Sequence, residues 1–388
     1  MRNLALTWQL TEIHGWGLVG VHTALCLLDR GQSPLLLEKP ALIAMRPENR
    51  ARLEGLMDGF HQISALSAKY GHKKLMLHEC TVLHGLGNGF IAGPPSDLFQ
   101  GERNIGVIAF EDTTFDAAVL ARARSYDRLV VHSTYNCDLL AEQGFADVGC
   151  VFQGVDPTEM PLLPATGLFG DRFVIFSGGK MEFRKGQDIV LAAFRQFHAR
   201  HPDALLVTAW HNPWPHTSAD IAESALTPGA PAVDAAQGRL RITEWAVAHG
   251  VPADAFIDLG FLSRSRIAPV LAECHAAVFP NRCEGATNLV AMEAMACGVP
   301  VILSANTGHL DLIREGNCLP LRHQKAVADP RGSRRGWGES SVEEVVAHLE
   351  RLYTDRTAAR GYGDRARDFI RGGRTWRAFA EAFIDAAG

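Results

Sequence analysis

The sequence predicts an α/β protein of two doubly wound, Rossmann-like domains facing a cleft, with helices at the C-terminus. Three observations predict it. Strand-like and helix-like patterns alternate over residues 4–321. The alternation breaks once, at residues 156–171, where three prolines and little periodicity mark a linker. The length, 388 residues, exceeds one typical domain. Repeated βα units imply parallel sheets covered on both faces. Ligands in such folds bind beyond the carboxyl ends of the strands. The resulting division is 1–160, 161–370 and a last segment, 371–388, expected to pack back on the N-terminal domain.

Residues 4–10 read as a strand, 17–30 as a helix and 34–38 as a short apolar strand. A helical pattern covers 48–69, and strand-like stretches follow at 74–78 and 81–84. Strands at 105–110, 129–132 and 149–152 alternate with helices at 115–124 and 134–142. After the linker the alternation restarts with a strand at 173–176, a helix at 186–199 and a strand at 204–210. Residues 211–235, rich in Pro, Ala and His, read as an excursion. Helices at 242–248 and 263–271 then alternate with strands at 255–259 and 276–279. A helix opening at Thr287 or Asn288 and a strand at 300–303 follow, with a short unit to Leu321. The chain ends in helices at 342–353, 358–369 and 376–386.

Composition narrows the function classes. The formal charge of −5 gives no global basic field, so nucleic acid is not expected as a partner. Eight cysteines form no C-x-x-C pair and several lie in apolar patterns, which favours reduced cytosolic thiols over disulfides or zinc. The first fifteen residues read as a strand and not as a signal peptide. No apolar run reaches the roughly 18 residues of a membrane-spanning helix, which leaves peripheral contact at an inner membrane face open. The expected location is cytoplasmic.

Several segments carry chemistry. In 281–300, NRCEGATNLVAMEAMACGVP, an apolar strand ends in a turn bearing Glu284 and Gly285. Glu293 follows inside a helix among small neighbours, Ala291, Ala294 and Ala296. A buried carboxylate needs a partner, and a carboxylate accepts two hydroxyl hydrogen bonds, as a ribose diol requires. The alternative is a helix cap plus one structurally paired acid. In 177–186, SGGKMEFRKG, Lys180, Arg184 and Lys185 stand at a strand end ahead of a helix, suited to a diphosphate or else forming a solvated basic turn. In 15–20, GWGLVG follows the first strand and Glu38 lies 18 residues past Gly20. It reads as a nicotinamide or flavin loop, as a backbone cradle for a diphosphate or sugar, or as a turn for helix–sheet packing. His84 and Asn88, and Glu111 with Asp112, follow apolar runs and are candidates for substrate contact or for structural roles. Trp210 and Trp214 flank the cleft or fill the core. There is no H-x-x-x-H or H-E-x-x-H metal set and no G-x-S-x-G elbow.

Lys185-Gly186 after a glycine-rich strand end, followed about a hundred residues on by E-G-…-E-A-M-A-C-G-V-P, resembles glycosyltransferase family 4. The resemblance is strongest in SGGKMEFRKGQDIVLAAF, DLGFLSRSRIAPVLAECHAAVFP and CEGATNLVAMEAMACGVPVILSANTG. It extends more loosely through the glycine loop, FEDTTFD, VVHSTYN and FQGVD. It implies the GT-B fold and retaining transfer from a nucleotide diphosphate sugar to a glycan, lipid-linked or other hydroxyl acceptor. The N-terminal domain is then the acceptor side and the C-terminal domain the donor side. The nucleotide sugar is a substrate, so no separate cofactor is implied, and without a D-x-D signature no metal is expected.

The resemblance puts Glu293 on the ribose hydroxyls and Glu284 near the transferred sugar. Lys185 and Arg184 hold the diphosphate, with Lys180 where the family usually has arginine. Gly179, Gly285, Ala286, Thr287 and Asn288 complete the donor site. Gly15 and Gly17 face the diphosphate, and His84 is the candidate histidine near the reacting sugar. The family usually has seven residues between its two acids, whereas Glu284 and Glu293 enclose eight. Either the loop bulges by one residue or Gly285 takes the usual acid position. Two rival functions are a dehydrogenase using residues 15–20 with Glu38, and a GT-B-like protein that binds a nucleotide or glycan without turnover.

Overall fold

The computed structural model describes residues 2–234 and 236–388. The chain forms two compact units, one of Met1–Gly154, Asp329–Arg335 and Arg374–Gly388, the other of Val155–Ala328 and Gly336–Gly373.

In the first unit a mostly parallel sheet runs in the order Leu35–Leu36, Asn3–Leu6, Leu75–Gly87, Phe99–Ile108, Arg128–Val131, Val148–Cys150. The order reverses beside Asn3–Leu6, so the switch point lies between that strand and Leu75–Gly87. The first strand is shorter than the sequence reading of 4–10, because the chain leaves the sheet after Leu6. Residues 74–84, read as two pieces, form one strand, Leu75–Gly87. Its register shifts between Leu77 and Thr81, and Glu79 has a left-handed φ of 52° there, which breaks the alternation that a sequence pattern needs. The helix Gly15–Asp29 is apolar nearly all round (Leu18, Val19, Val21, Ala24, Leu25, Leu27) and is buried accordingly. The C-terminal helix Trp376–Ala387 packs in this unit, with Trp376 stacked on His22 at 4.6 Å between ring centroids.

In the second unit six parallel strands run in the order Phe256–Asp258, Ala204–Ala209, Phe173–Gly178, Ala276–Phe279, Val301–Ser304, Leu319–Leu321. Read in chain order this is 3-2-1-4-5-6, with the switch between Phe173–Gly178 and Ala276–Phe279. The strands are buried on both faces. Phe173, Ile175, Val278 and Ile302 pack with the helices Gln187–His198 and Val342–Thr354. Phe176, Ala277, Phe279 and Leu303 pack with Leu289–Ala296 and the apolar stripe of Arg356–Gly373. The excursion 211–235 carries a 3₁₀ stretch, Pro215–Glu223, and its last residue, Ala235, lies outside the described residues. Among the described residues no helix is long and apolar enough to cross a membrane.

Candidate active site

At the switch point of the second unit, two loops leave neighbouring strands and interlock. Residues 179–186 follow Phe173–Gly178, and residues 280–288 follow Ala276–Phe279. Gly179 has φ 124° and Gly186 φ 73°, conformations open to glycine. At Gly186 a Cβ would also stand 2.4 Å from the Pro280 carbonyl oxygen, so only glycine lets the loops meet this closely. The meeting is sealed by the Arg282 N–H, which donates to the Arg184 carbonyl at 2.7 Å.

The contact aligns five charged side chains in alternation. Lys180 Nζ lies 2.7 Å from Glu182 Oε1, and Arg184 Nε lies 2.9 Å from Glu182 Oε2. Arg184 Nη1 reaches Glu284 Oε2 at 3.2 Å, and Lys185 Nζ reaches Glu284 Oε1 at 2.5 Å. Asn281 Nδ2 also donates to Glu284 Oε1. Three cations against two carboxylates leave one positive charge at the carboxyl ends of the strands. Burial would raise the Glu284 carboxyl, but Lys185 and Arg184 outweigh it and hold it down to about 2. Glu182 stays below the ordinary carboxylate range for the same reason, Arg184 and Lys180 overcoming its burial. Burial pulls Lys185 below the ordinary lysine value, with Glu284 resisting. Trp214, half exposed, sits under Lys180, whose ammonium lies 5.4 Å from the ring centroid. Trp210 is core, its indole N–H donating to Ser177 Oγ at 3.2 Å.

The acid loop has its own support. The helix Leu289–Ala296 is capped by Asn288, whose side chain accepts from the Ala291 N–H at 3.3 Å. Asn288 is the one residue of 283–289 with a left-handed φ, 63°. Its Nδ2 lies 3.0 Å from His309 Nε2, and His309 Nδ1 lies 2.8 Å from Ser304 Oγ, which donates to the Asn281 carbonyl at 2.7 Å. Complete burial lowers His309 to about 4, so the ring is neutral and Nε2 accepts from Asn288 while Nδ1–H donates to Ser304. Thr287 is fully buried, with its hydroxyl 3.3 Å from Met292 Sδ. The Gly308 N–H donates to the Glu284 carbonyl at 3.0 Å. A Cβ on Gly308 would stand 1.7 Å from the Ala286 carbonyl oxygen.

Below the loops, Arg282 is fully buried. It forks onto Asp188 at 2.8 and 2.6 Å, takes Glu339 at 3.0 and 2.8 Å and donates to the Phe183 carbonyl at 2.7 Å. Its guanidinium carbon lies 3.9 Å from the Phe183 ring centroid. Glu293, also buried, is ion-paired with Arg264.

Residues 162–369, more than half of the chain, match the family described as Glycosyl transferases group 1. The chain belongs to that family. Solved structures agree on the fold. Sucrose-phosphate synthase from Thermosynechococcus elongatus superposes with a TM-score of 0.66 at 16% identity, covering 99% of this chain and 98% of that one. Alr3699/HepE from Anabaena, solved with UDP and glucose, gives 0.66 at 13% identity, covering 99% of both chains. The trehalose-6-phosphate synthase OtsA gives 0.64 at 12% identity, covering 100% of this chain and 99% of that one. No curated protein sequence matches the chain significantly.

This glycosyltransferase therefore has the GT-B fold, and its second unit brings Gly179, Lys180, Arg184, Lys185, Glu284, Gly285, Ala286, Thr287 and Asn288 to one pair of interlocked loops. The first unit treats its candidates differently. Residues 15–20, read from the sequence as a glycine loop, are instead the opening of the helix Gly15–Asp29, which is capped by His14, whose Nδ1 accepts from the Gly17 N–H at 3.1 Å. A Cβ on Gly17 would stand 2.2 Å from the Thr11 carbonyl oxygen, so this glycine is required for packing. His84 does not end a strand as the pattern suggests. It is buried within Leu75–Gly87, its Nε2 3.0 Å from Asn104 Oδ1 and its ring 5.4 Å from that of Tyr126. Asn88 does join Glu111 and Asp112, its Oδ1 accepting from their N–H groups at 2.9 and 3.3 Å.

Sequence reasoning missed Glu182, Arg264, Arg282 and His309. Only Arg282 had a local signal, a charge next to a wholly apolar strand end. Among the described residues, no group of three or more His, Cys, Asp or Glu side chains is placed to hold a metal ion.

Proposed function

We propose that this glycosyltransferase is a retaining enzyme of family 4. It moves a sugar from a nucleotide diphosphate sugar to an acceptor hydroxyl, in glycan or glycoconjugate biosynthesis. The observation that carries the reading is the alternating row Lys180–Glu182–Arg184–Glu284–Lys185 at the switch point. A diphosphate bound there meets cations already held in place by carboxylates. Little has to be assembled as charge develops on the leaving group. Preorganised donors of this kind are worth roughly 3 kcal/mol each in a transition state. Glu293, on the helix that follows, takes the ribose hydroxyls, and the backbone of 284–287 faces the transferred sugar.

The transition state is oxocarbenium-like, as in glycoside chemistry. On the retaining path the departing phosphate oxygen takes the acceptor proton on the face that it leaves. Lys185 and Arg184 stabilise the charge left on the diphosphate. Glu284 keeps both cations oriented and stands as an anion close to the anomeric centre. The Anabaena protein was solved with UDP and with UDP-glucose, and a Staphylococcus aureus protein, TarM, with Fondaparinux, alpha-GlcNAc-glycerol and UDP. These names make uracil the first base to test and a glycan or polyol hydroxyl the first acceptor. The eight free thiols support a reducing, cytoplasmic location.

Thermal stabilisation by UDP, GDP, ADP and their sugars tests the donor class. A ligand at a hundred times its dissociation constant adds about 2.7 kcal/mol. Lys185→Ala should abolish transfer and weaken nucleotide binding. A Lys185→Ala enzyme with normal turnover would remove the core of the proposal. Nucleotide binding with neither transfer nor donor hydrolysis would favour a binding protein without turnover.

A further inference from the structure

Glu293 does not stand alone. Its carboxylate is held by Arg264 Nη1, and the same guanidinium reaches a second carboxylate, Glu159, through Nε at 3.0 Å and Nη2 at 2.9 Å. All three side chains are buried, exposed by 8% at Arg264, 3% at Glu159 and 7% at Glu293. The residues come from separate elements. Arg264 opens the helix Arg264–Ala272, Glu293 lies in Leu289–Ala296, and Glu159 belongs to the proline-bearing stretch 156–171. Two carboxylates on one guanidinium leave a net charge of −1 in a dry setting. Such an arrangement fixes rotamers on all three side chains, and removing one member leaves a buried charge without its partner.

Resting on the ribose reading of Glu293, we propose that Arg264 is the positioning residue of that carboxylate and that Glu159 anchors Arg264. Arg264 takes one carboxylate oxygen and leaves the other oxygen to accept from the ribose diol. Glu159 occupies the Nε–Nη2 edge of the guanidinium, so that only Nη1 is presented to Glu293. The triad thus sets how much of the nucleotide's affinity comes from its 2′ and 3′ hydroxyls. It ties that affinity to the proline-bearing stretch 156–171.

The test is calorimetric titration of the 388-residue chain with UDP, GDP and ADP and with their 2′,3′-dideoxy counterparts. The variants are Arg264→Met, Glu159→Gln and the double variant. Wild type should prefer the diol-bearing nucleotide by about tenfold or more, the range for hydrogen bonds to a charged group. Arg264→Met should weaken the preferred diphosphate about tenfold and leave its dideoxy analogue unchanged, collapsing the preference. Glu159→Gln should give an intermediate preference, and in turnover these variants should raise KM with kcat held within about threefold. The double variant removes the like-charge contact that Arg264→Met leaves behind, so the ratio can be read even if the single variant folds poorly.

If wild type bound diol and dideoxy forms equally, or bound none of the three nucleotides, the ribose reading would fail and this proposal with it. If wild type discriminated and every variant did so equally well, the ribose reading would stand and the role of Arg264 would be overturned. Weakening of both nucleotide forms in parallel would equally overturn it, since that is the mark of a general structural defect.

Discussion

Glu284 is the side chain on which the proposed donor site turns. It accepts from Lys185, Arg184 and Asn281 at once, and its backbone is gripped by Thr307 Oγ1, which accepts from its N–H at 2.9 Å, and by the Gly308 N–H. Its acidity fixes a pH window. A carboxyl at about 2 when folded, against an ordinary 4.5, contributes stability that is full above 4.5 and lost as pH falls toward 2. The imidazoles act earlier. His309 and His132 are both lowered to about 4 by burial, from 6.5. Between those values the unfolded chain binds more protons, so stability drops as pH falls from 6.5 to 4, by on the order of 3 kcal/mol for each ring. Urea unfolding midpoints measured from pH 7 to 4 should therefore decline, and His309→Gln should show a shallower decline than wild type. An equal slope in the two proteins would mean that His309 is not held neutral. At this scale the sequence singled out residues whose type alone signals chemistry, as with Lys185, Glu284 and Glu293, and the structure buries both acids in ion pairs. It was silent on Glu182, His309 and Arg264, whose roles exist only through partners. Arg264 and Glu159 are 105 positions apart, and no local pattern marks such a pair.

At the scale of elements, the loop between the two acids is shaped at its junction with the helix. The strand ends at Phe279, the helix starts at Leu289, and Asn288 turns into the left-handed region just before it. Asparagine suits that position, since its short amide caps the helix and tolerates a positive φ. Asn288→Ala should lose the cap and pay for the backbone, about 2–3 kcal/mol together. Asn288→Gly should cost less because it relaxes the φ. If alanine were tolerated as well as glycine in thermal melts, the left-handed turn would not be a constraint. Gly308→Ala tests the opposite wall. Its new methyl must displace the Ala286 carbonyl, so transfer should fall steeply while circular dichroism remains native. Helices of strong period were legible with boundaries close to those found, as at Thr134–Glu142 and Ile242–Ala248. Elements defined by irregularity were not. The bulge at Glu79 split one strand into two patterns. The antiparallel pair Gln324–Ala326 and Gly338–Ser340 is too short, and its pairing too distant, to leave a period.

At the scale of the whole molecule, alternation and the proline-bearing break made two doubly wound sheets readable, because burial on both faces forces apolar strands and fixed spacing. What alternation does not carry is which unit a late segment joins. Residues 329–335 belong to the first unit through the Thr113 N–H, which donates to the Ser333 carbonyl at 2.9 Å, and Tyr135 Oη, which donates to the Arg335 carbonyl at 2.8 Å. Nothing in ADPRGSRR announces those contacts. The division has a consequence for ligand binding. The glycine-rich helix start of the first unit commits the Gly17 N–H to its own cap, whereas the charged row of the second unit carries an excess of cations over carboxylates. Hydrogen exchange with and without UDP, GDP or ADP should then show its largest protection in residues 179–186 and 281–293. Backbone amides there are held by loop-to-loop bonds that a diphosphate at the proposed site would tighten, and their opening is local, not global. Protection confined to residues 15–20 would place the nucleotide on the first sheet instead, and the charged row would have to be read as structural.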